Sequence, residues 1–465
     1  MKKNLFFVAA ASALLLTACS SESEVAQSAP QQSGPMAIAF DDYVPDVTRA
    51  GKTGAMTTTT LKAEFASGGG FGVFATYSDD GDYVATKGPN FMYNQKVTWD
   101  GTAMGWKYEP LKYWPNETQD DSQTNPATMG SRVDKLSFFA YAPYVAHSNA
   151  ATGQLSGVTY STPPTPDTNQ TGIIKVTTND ITIADPAPTD PKVMYRVTAN
   201  PAQTVDLLWG VAPAGDFSYS TVSSTTPTVT VDEGKPLKNL IKPSKDQKMK
   251  FLFKHALSRI NFSVVGAFDQ IAPGGKQDAN TKVLVEKVQV FGASDGTIKT
   301  DGWLNLNNTA AGVALWEDRT GGDYTSTALF TVEGAAINST IKDGGAVAFG
   351  SQVAGVTTSE KNLFEDATNF FAVIPNDPND ATETTDFIIE ITYYIQTKDD
   401  ALEVSGSVDG TRVKNIVRVP VSVWLQNNKS YNFRLVLGLT SVKLDAEVAE
   451  WELAGDVDAN LPQNK

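Results

Sequence analysis

The sequence has little from which to build a catalytic centre or a covalent framework. Its 465 residues include one cysteine, Cys19, and two histidines, His147 and His255. A single cysteine excludes an intrachain disulfide, so the fold must hold by burial. So few imidazole and thiolate groups exclude a zinc site built from them. A Ser-His-Asp triad would have to use His147 or His255. His147 stands in Ala146-His147-Ser148-Asn149, a loop context, and His255 in a strand-like apolar run; both read as structural. Basic residues are also few, 37 Lys and Arg against 52 Asp and Glu, a formal charge of −15. That balance opposes binding to nucleic acid or docking on anionic lipid. Beyond the first residues no segment is apolar enough to cross a bilayer.

Other chemistry finds weak support. Carboxylates are abundant, which leaves a glycosidase open on composition, but no acid–base pair stands out. Asp79-Asp80-Gly81-Asp82 has oxygen ligands at close spacing, without the twelve-residue calcium-loop pattern that ends in Glu, and reads as a solvated turn. Gly68-Gly69-Gly70-Phe71-Gly72 precedes a strand instead of joining strand to helix, so it fails as a phosphate loop. Trp99, Trp106, Tyr108, Tyr113 and Trp114 could make a sugar-stacking face, but their strand-like context favours packing. We infer no catalytic residue, no metal and no cofactor.

What is present begins at the N-terminus. Lys2 and Lys3 precede an apolar run over residues 5–16, and Leu16-Thr17-Ala18-Cys19 matches a lipobox. The run is too short for a permanent span and reads as a cleaved signal, residues 1–18, with lipid on Cys19. An ordinary secretory signal with a chance cysteine is the other reading. Loss of residues 1–18 takes the charge to −17, because Lys2 and Lys3 leave with no acid. Polar residues dominate 19–35 and predict a flexible tether.

The remaining chain has β texture, with short alternating apolar runs between turn signals. Clear examples are Phe71-Gly72-Val73-Phe74-Ala75-Thr76-Tyr77 and Lys135-Leu136-Ser137-Phe138-Phe139-Ala140-Tyr141. Others span residues 250–265, 283–291, 387–395 and 430–437. No long stretch has helical period with caps; a short helix is expected at most near 110–114 or after Glu360. The length and turn spacing suggest two sandwiches. The loop-rich stretch between Thr221 and Asp246 gives domains at 36–243 and 244–465, with residues 161–171 and 185–192 as surface excursions of the first.

Several elements, in order, resemble the fimbrillins, the type V pilins of Bacteroides-like bacteria. They are Met36-Ala37-Ile38-Ala39-Phe40, Val47-Thr48-Arg49-Ala50, Phe71-Gly72-Val73-Phe74-Ala75 and Asn90-Phe91-Met92-Tyr93-Asn94-Gln95-Lys96-Val97. Tyr108-Glu109-Pro110-Leu111-Lys112-Tyr113-Trp114-Pro115 and Leu136-Ser137-Phe138-Phe139-Ala140-Tyr141-Ala142-Pro143-Tyr144 follow, then Asp206-Leu207-Leu208-Trp209-Gly210 and Phe253-Lys254-His255-Ala256-Leu257-Ser258-Arg259-Ile260.

The resemblance implies an all-β protein of two tandem transthyretin-like β-sandwich domains and a structural, non-enzymatic role as a pilus subunit. It implies a lipidated precursor at the surface of the outer membrane, cut by an arginine-specific protease. The released strand leaves a groove, filled by a C-terminal strand of another copy or a related pilin. Arg49 and Ala50 are the matching cleavage pair, before the polar Gly51-Lys52-Thr53-Gly54. Val442, Leu444, Ala446 and Val448 alternate with polar or small neighbours and match a donor strand, although the same pattern suits a last strand of the chain's own second domain. An anchor or tip adhesin subunit of the same fold and a glycan-binding surface lipoprotein are the competing readings.

Overall fold

A computed structural model describes residues 37–43, 58–62, 70–79, 81–101, 103–115, 134–145, 171–176, 190–213, 218–219, 229–242, 248–266, 281–342, 360–367, 369–397, 412–437 and 442–450. Walking the chain, the strands are β1 (Ala39–Tyr43), β2 (Phe71–Tyr77), β3 (Met92–Asp100), β4 (Gly105–Lys107), β5 (Leu136–Ala142), β6 (Gly172–Val176), β7 (Lys192–Arg196), β8 (Leu208–Val211), β9 (Ser218–Tyr219), β10 (Val229–Thr230), β11 (Leu237–Leu240) and β12 (Lys248–His255). There follow β13 (Ser258–Gly266), β14 (Thr281–Gly292), β15 (Asp301–Asn305), β16 (Leu315–Thr320), β17 (Phe330–Glu333), β18 (Lys361–Asn362), β19 (Phe371–Val373), β20 (Thr385–Thr397), β21 (Arg412–Val423), β22 (Lys429–Leu437) and β23 (Val442–Glu450). Among the described residues the α-helices are α1 (Thr58–Lys62) and α2 (Ser339–Lys342). No helix forms at 110–114, where Tyr113 bridges to Ala37 in extended pairing, or just after Glu360, where β18 begins.

The first sheet runs β1-β12-β8-β5-β2-β3-β4, with β11 also paired to β5. Its central strands are buried on both faces, which is why β5 lacks polar alternation. Leu136, Phe138 and Ala140 point into one core, and Phe139 and Tyr141 into the other. Aromatic rings cross the sheet where glycine leaves room. A Cβ on Gly72 would lie 2.3 Å from Cε1 of Tyr141, and one on Gly210 would lie 2.9 Å from Cδ1 of Phe251. Because β12 pairs with β8 on one side and β1 on the other, this sheet continues past residue 243, where the sequence analysis divides the chain.

The second half stacks the sheet containing β18, β19, β13, β22 and β23 on the sheet β17-β14-β20-β21. Phe330 and Phe371 stack between the two with ring centres 4.0 Å apart, and Phe387 meets Phe433 edge-on at 5.3 Å. The first is a stacked contact and the second T-shaped, the latter a geometry that aromatic quadrupoles favour. A further four-stranded sheet, β16-β15-β7-β6, draws two strands from each half. In it β7 and β15 pair antiparallel from Lys192↔Asn305 to Arg196↔Asp301, and Arg196 Nε donates to Asp301 Oδ1 at 2.5 Å.

At the junction His255 and Asp206 are both buried, with His255 Nδ1 2.8 Å from Asp206 Oδ2. Nearby the Ala256 amide donates to the Leu207 carbonyl at 2.8 Å, and the indole of Trp316 donates to the Ala256 carbonyl at 3.0 Å. Ala256 and Leu257 separate β12 from β13. The apolar run that reads continuously in sequence therefore serves two different sheets.

Candidate assembly site

Strand β1 occupies a slot at one edge of the first sheet. It pairs in parallel with β12, from Ala39↔Lys248 to Tyr43↔Leu252. Its other flank is the extended segment after β4: the Ile38 amide donates to the Lys112 carbonyl at 2.9 Å, and Ala37 bridges to Tyr113. Period-two geometry turns Ile38 and Phe40 inward together. They are 1% and 2% exposed.

Phe40 enters a cage of rings. Its centre lies 5.3 Å from Tyr108, 6.0 Å from Phe138, 6.1 Å from Phe251 and 6.3 Å from Phe71. The Phe251 contact is stacked and the others are edge-on. Phe251 alternates with exposed Lys248 and Lys250 along β12, a period-two pattern in which Met249, Phe251 and Phe253 face the core. The Tyr108 hydroxyl donates to the Ile38 carbonyl at 2.8 Å and accepts from the Lys112 amide at 3.3 Å. Burial pushes the Tyr108 phenol up to about 12, against a lowering contribution from the Lys112 backbone contact.

The slot therefore recognises a strand by two means. Backbone groups on β12 and at Lys112 read extended chain, and the aromatic cage reads a large apolar side chain at alternate positions. Ile38 and Phe40 are visible in the sequence as one apolar pair; the cage that receives them comes from four separated segments. Tyr108 had a sequence signal as part of a motif and of the aromatic cluster at 99–114, and its bond to Ile38 had none.

At the other end, β23 forms a nine-residue antiparallel ladder with β22, from Val442↔Leu437 to Glu450↔Lys429. It is the outer strand of its sheet. Ala446 is 9% exposed, and Val448 is half-buried against the second-half core. For Val442 and Leu444 the backbone is placed in this ladder, and their side chains lie outside the described residues. Cys19, Arg49 and Ala50 also lie outside them, as does His147.

The aromatic residues near β4 are used for packing. Trp106, Tyr108 and Trp114 are buried in the first core, Trp99 packs edge-on against Trp106 at 5.5 Å, and Lys62 Nζ lies 4.2 Å from the Trp99 ring centre. Tyr113 is exposed at the mouth of the β1 slot. No described helix is long and apolar enough to cross a membrane.

No protein-family model matches the chain. The fimbrium subunit Fim1C of Phocaeicola vulgatus is 34% identical over 169 residues, which span 35% of this chain and 37% of that subunit. The chain thus matches little more than a third of that relative's length. A crystal structure of a fimbrial protein from Bacteroides vulgatus covers 90% of this chain and 99% of its own, with a TM-score of 0.50 and 18% identity, a likeness of fold. Over about a third of its length the chain is thus similar in sequence to a fimbrium subunit, and in fold it is similar to a fimbrial protein.

Proposed function

We propose that this chain is a shaft-type fimbrium subunit, exported as a lipoprotein on Cys19, cut between Arg49 and Ala50 and polymerised by donor-strand exchange at the cell surface. One observation carries the reading: Ile38, which leads into β1, and Phe40 within it are buried and fill a core from the N-terminal side of Arg49. A single cut after Arg49 severs that core filler from everything that follows. The freed piece, residues 19–49, has a charge of −4 (Glu22, Glu24, Asp41, Asp42 and Asp46 against Arg49) and keeps the lipid.

Its departure uncovers the edge of β12 and the cage of Phe71, Tyr108, Phe138 and Phe251. An open edge beside exposed rings is adhesive and calls for another strand. Refilling it gains roughly 1.5–3 kcal/mol for each large apolar side chain buried, before ordering costs. The proposed occupant is the segment of Val442, Leu444, Ala446 and Val448 from another copy or a related pilin. In the monomer that segment is an outer strand, so its release breaks one ladder and leaves the sheet interior paired. The arginine-specific protease and the outer membrane are the other partners in this scheme, and no nucleic acid takes part.

The test is electron microscopy of cells carrying Arg49→Ala or a deletion of residues 439–465. Both should lack polymers containing this chain, the first retaining β1 and the second lacking a donor. Normal polymers in Arg49→Ala cells would overturn plug removal. Normal polymers from the deletion would overturn the donor assignment.

A further inference from the structure

The sheet that joins the two halves carries a lysine, an asparagine and a glutamate on one face. Lys192 opens β7, Asn305 closes β15, and the two are directly opposed in the antiparallel ladder. Opposed residues set their side chains on the same face, with Cβ atoms about 5 Å apart. Glu317 in β16 pairs with Trp303, two residues before Asn305, so it reaches the same face from the other side of β15.

The three side chains meet at one carboxylate. Lys192 Nζ donates to Glu317 Oε2, and Asn305 Nδ2 donates to Glu317 Oε1 at 2.7 Å. The lysine amine and the asparagine amide are therefore held side by side, on the two oxygens of a single group. The Asn307 backbone amide donates to Asn305 Oδ1 at 2.9 Å. Asn305 Nδ2 also donates to Asp190 Oδ2 at 3.3 Å, and Asp190 accepts in turn from the Tyr83 hydroxyl at 2.7 Å and from Asn307 Nδ2 at 3.0 Å. Acceptors on its nitrogen and a donor on its oxygen fix which way the Asn305 amide faces. Asn305 is 4% exposed and the Lys192 side chain 16%, so little water reaches them.

An ion pair between strands would need only Lys192 and Glu317. The amide beside them adds an electrophilic carbon next to the amine. Its oxygen is polarised by a backbone N–H, and its nitrogen rests on the carboxylate that holds the amine. Acyl transfer needs this set: a nucleophile, a group that moves protons, a donor for the developing oxyanion, and a leaving group within reach of the proton. Fixing all four on paired strands supplies the proximity that such a reaction otherwise lacks.

We propose that Lys192 and Asn305 become joined by an isopeptide bond between β7 and β15, with Glu317 as the proton carrier. Glu317 takes a proton from the Lys192 ammonium, and the neutral Nζ attacks Cγ of Asn305. Negative charge gathers on Oδ1, facing the Asn307 amide. Glu317 passes the proton to Nδ2, and the Cγ–Nδ2 bond breaks as the carbonyl re-forms. A second proton leaves Nζ through the same carboxylate. The nitrogen departs as ammonium, carrying the charge that Lys192 brought, and no oxidant or co-reactant is consumed. The bond fastens the half that holds β7 to the half that holds β15. The inference goes beyond assembly and does not depend on it, because a lone subunit contains every group involved.

Mass spectrometry of the purified full-length chain tests this. The intact chain should be lighter than its sequence by one ammonia, and a protease digest should yield a branched peptide joining Lys192 to Asn305. Lys192→Arg, Asn305→Ala and Glu317→Gln should each recover the full mass and lose the branched peptide, with thermal melts confirming that each is folded. Lys414→Arg, at another lysine–glutamate pair where Nζ lies 2.9 Å from Glu286 Oε2, should keep the bond. The branched peptide in the parent decides the matter even where a variant fails to fold. The proposal is overturned if the parent has its full sequence mass and no branched peptide, or if the ammonia loss persists in Asn305→Ala. A Glu317→Gln chain that still forms the bond would overturn the role given to Glu317.

Discussion

The Tyr108 hydroxyl donates to the carbonyl oxygen of Ile38 at 2.8 Å, tying the wall of the slot to the strand inside it. The partner is a backbone atom, so the bond would serve any extended strand in that position. Tyr108→Phe keeps the ring in the Phe40 cage and deletes the bond. We expect β1 to loosen by about 1 kcal/mol, the usual net worth of one hydrogen bond. Hydrogen exchange of the Ile38 amide, which donates to Lys112, should quicken, with the second half unchanged.

The same phenol sets an alkaline limit. Its folded value, about 12, lies above the ordinary 10. The folded state therefore holds that proton more tightly, and the associated stability is fully present below pH 10 and lost as pH rises toward 12. Tyr431, raised to about 12 by burial, behaves alike. Absorbance titration near the phenolate band, comparing the chain with Tyr108→Phe, should show the Tyr108 component appearing near pH 12. A difference between the two proteins near pH 10 would contradict its burial.

Phe40→Ala empties the ring cage. Phe→Ala in a packed core costs roughly 3–5 kcal/mol. Here the loss should fall mainly on β1, because β1 is the end strand of its sheet, beside β12. Limited proteolysis should cut between β1 and β2 more readily, while a thermal melt followed in the second half stays put. A uniform drop in stability of both halves would show that β1 is not independently removable.

Gly72→Ala places a methyl 2.3 Å from Tyr141 Cε1 and 2.8 Å from Asn94 Oδ1. That oxygen accepts the Tyr141 hydroxyl at 2.8 Å, so the ring cannot shift without breaking the bond. Overpacking of this kind costs roughly 1–3 kcal/mol. Chemical denaturation should report that loss, and Tyr141→Phe in the same background should not add its full single-mutant cost, because the two sites share one contact.

His255→Ala removes the imidazole that faces Asp206 and leaves a buried carboxylate short of a contact. We expect a loss of roughly 3 kcal/mol. Asp206→Asn, which keeps an oxygen of similar size, should cost less. Both are read by denaturant midpoints at constant slope.

The strand runs at 71–77, 135–141, 283–291, 387–395 and 430–437 were readable because each carries its apolar residues within one short segment. The run at 250–265 was readable as strand and not as two strands. Its break depends on Leu207 and Trp316 holding Ala256, and neither lies nearby in sequence. The pairing of β7 with β15 had no local signal, because it joins residues about a hundred positions apart. At the slot, Ile38 and Phe40 stood out as an apolar pair, but their cage needed Phe71, Tyr108, Phe138 and Phe251 brought together by the fold. The alternation of Val442, Leu444, Ala446 and Val448 was equally plain, and alternation is silent about which groove a strand will fill.

The ladder between β7 and β15 bears on how a filament would respond to drag. Pulling the two halves of one subunit apart would first have to shear five paired positions and the Arg196–Asp301 contact. A hinge between halves would lengthen under small forces and act as a spring. In the strand-exchanged filament proposed above, a shared sheet would instead make the subunit a stiff link, and extension under flow would fall on the joints between subunits.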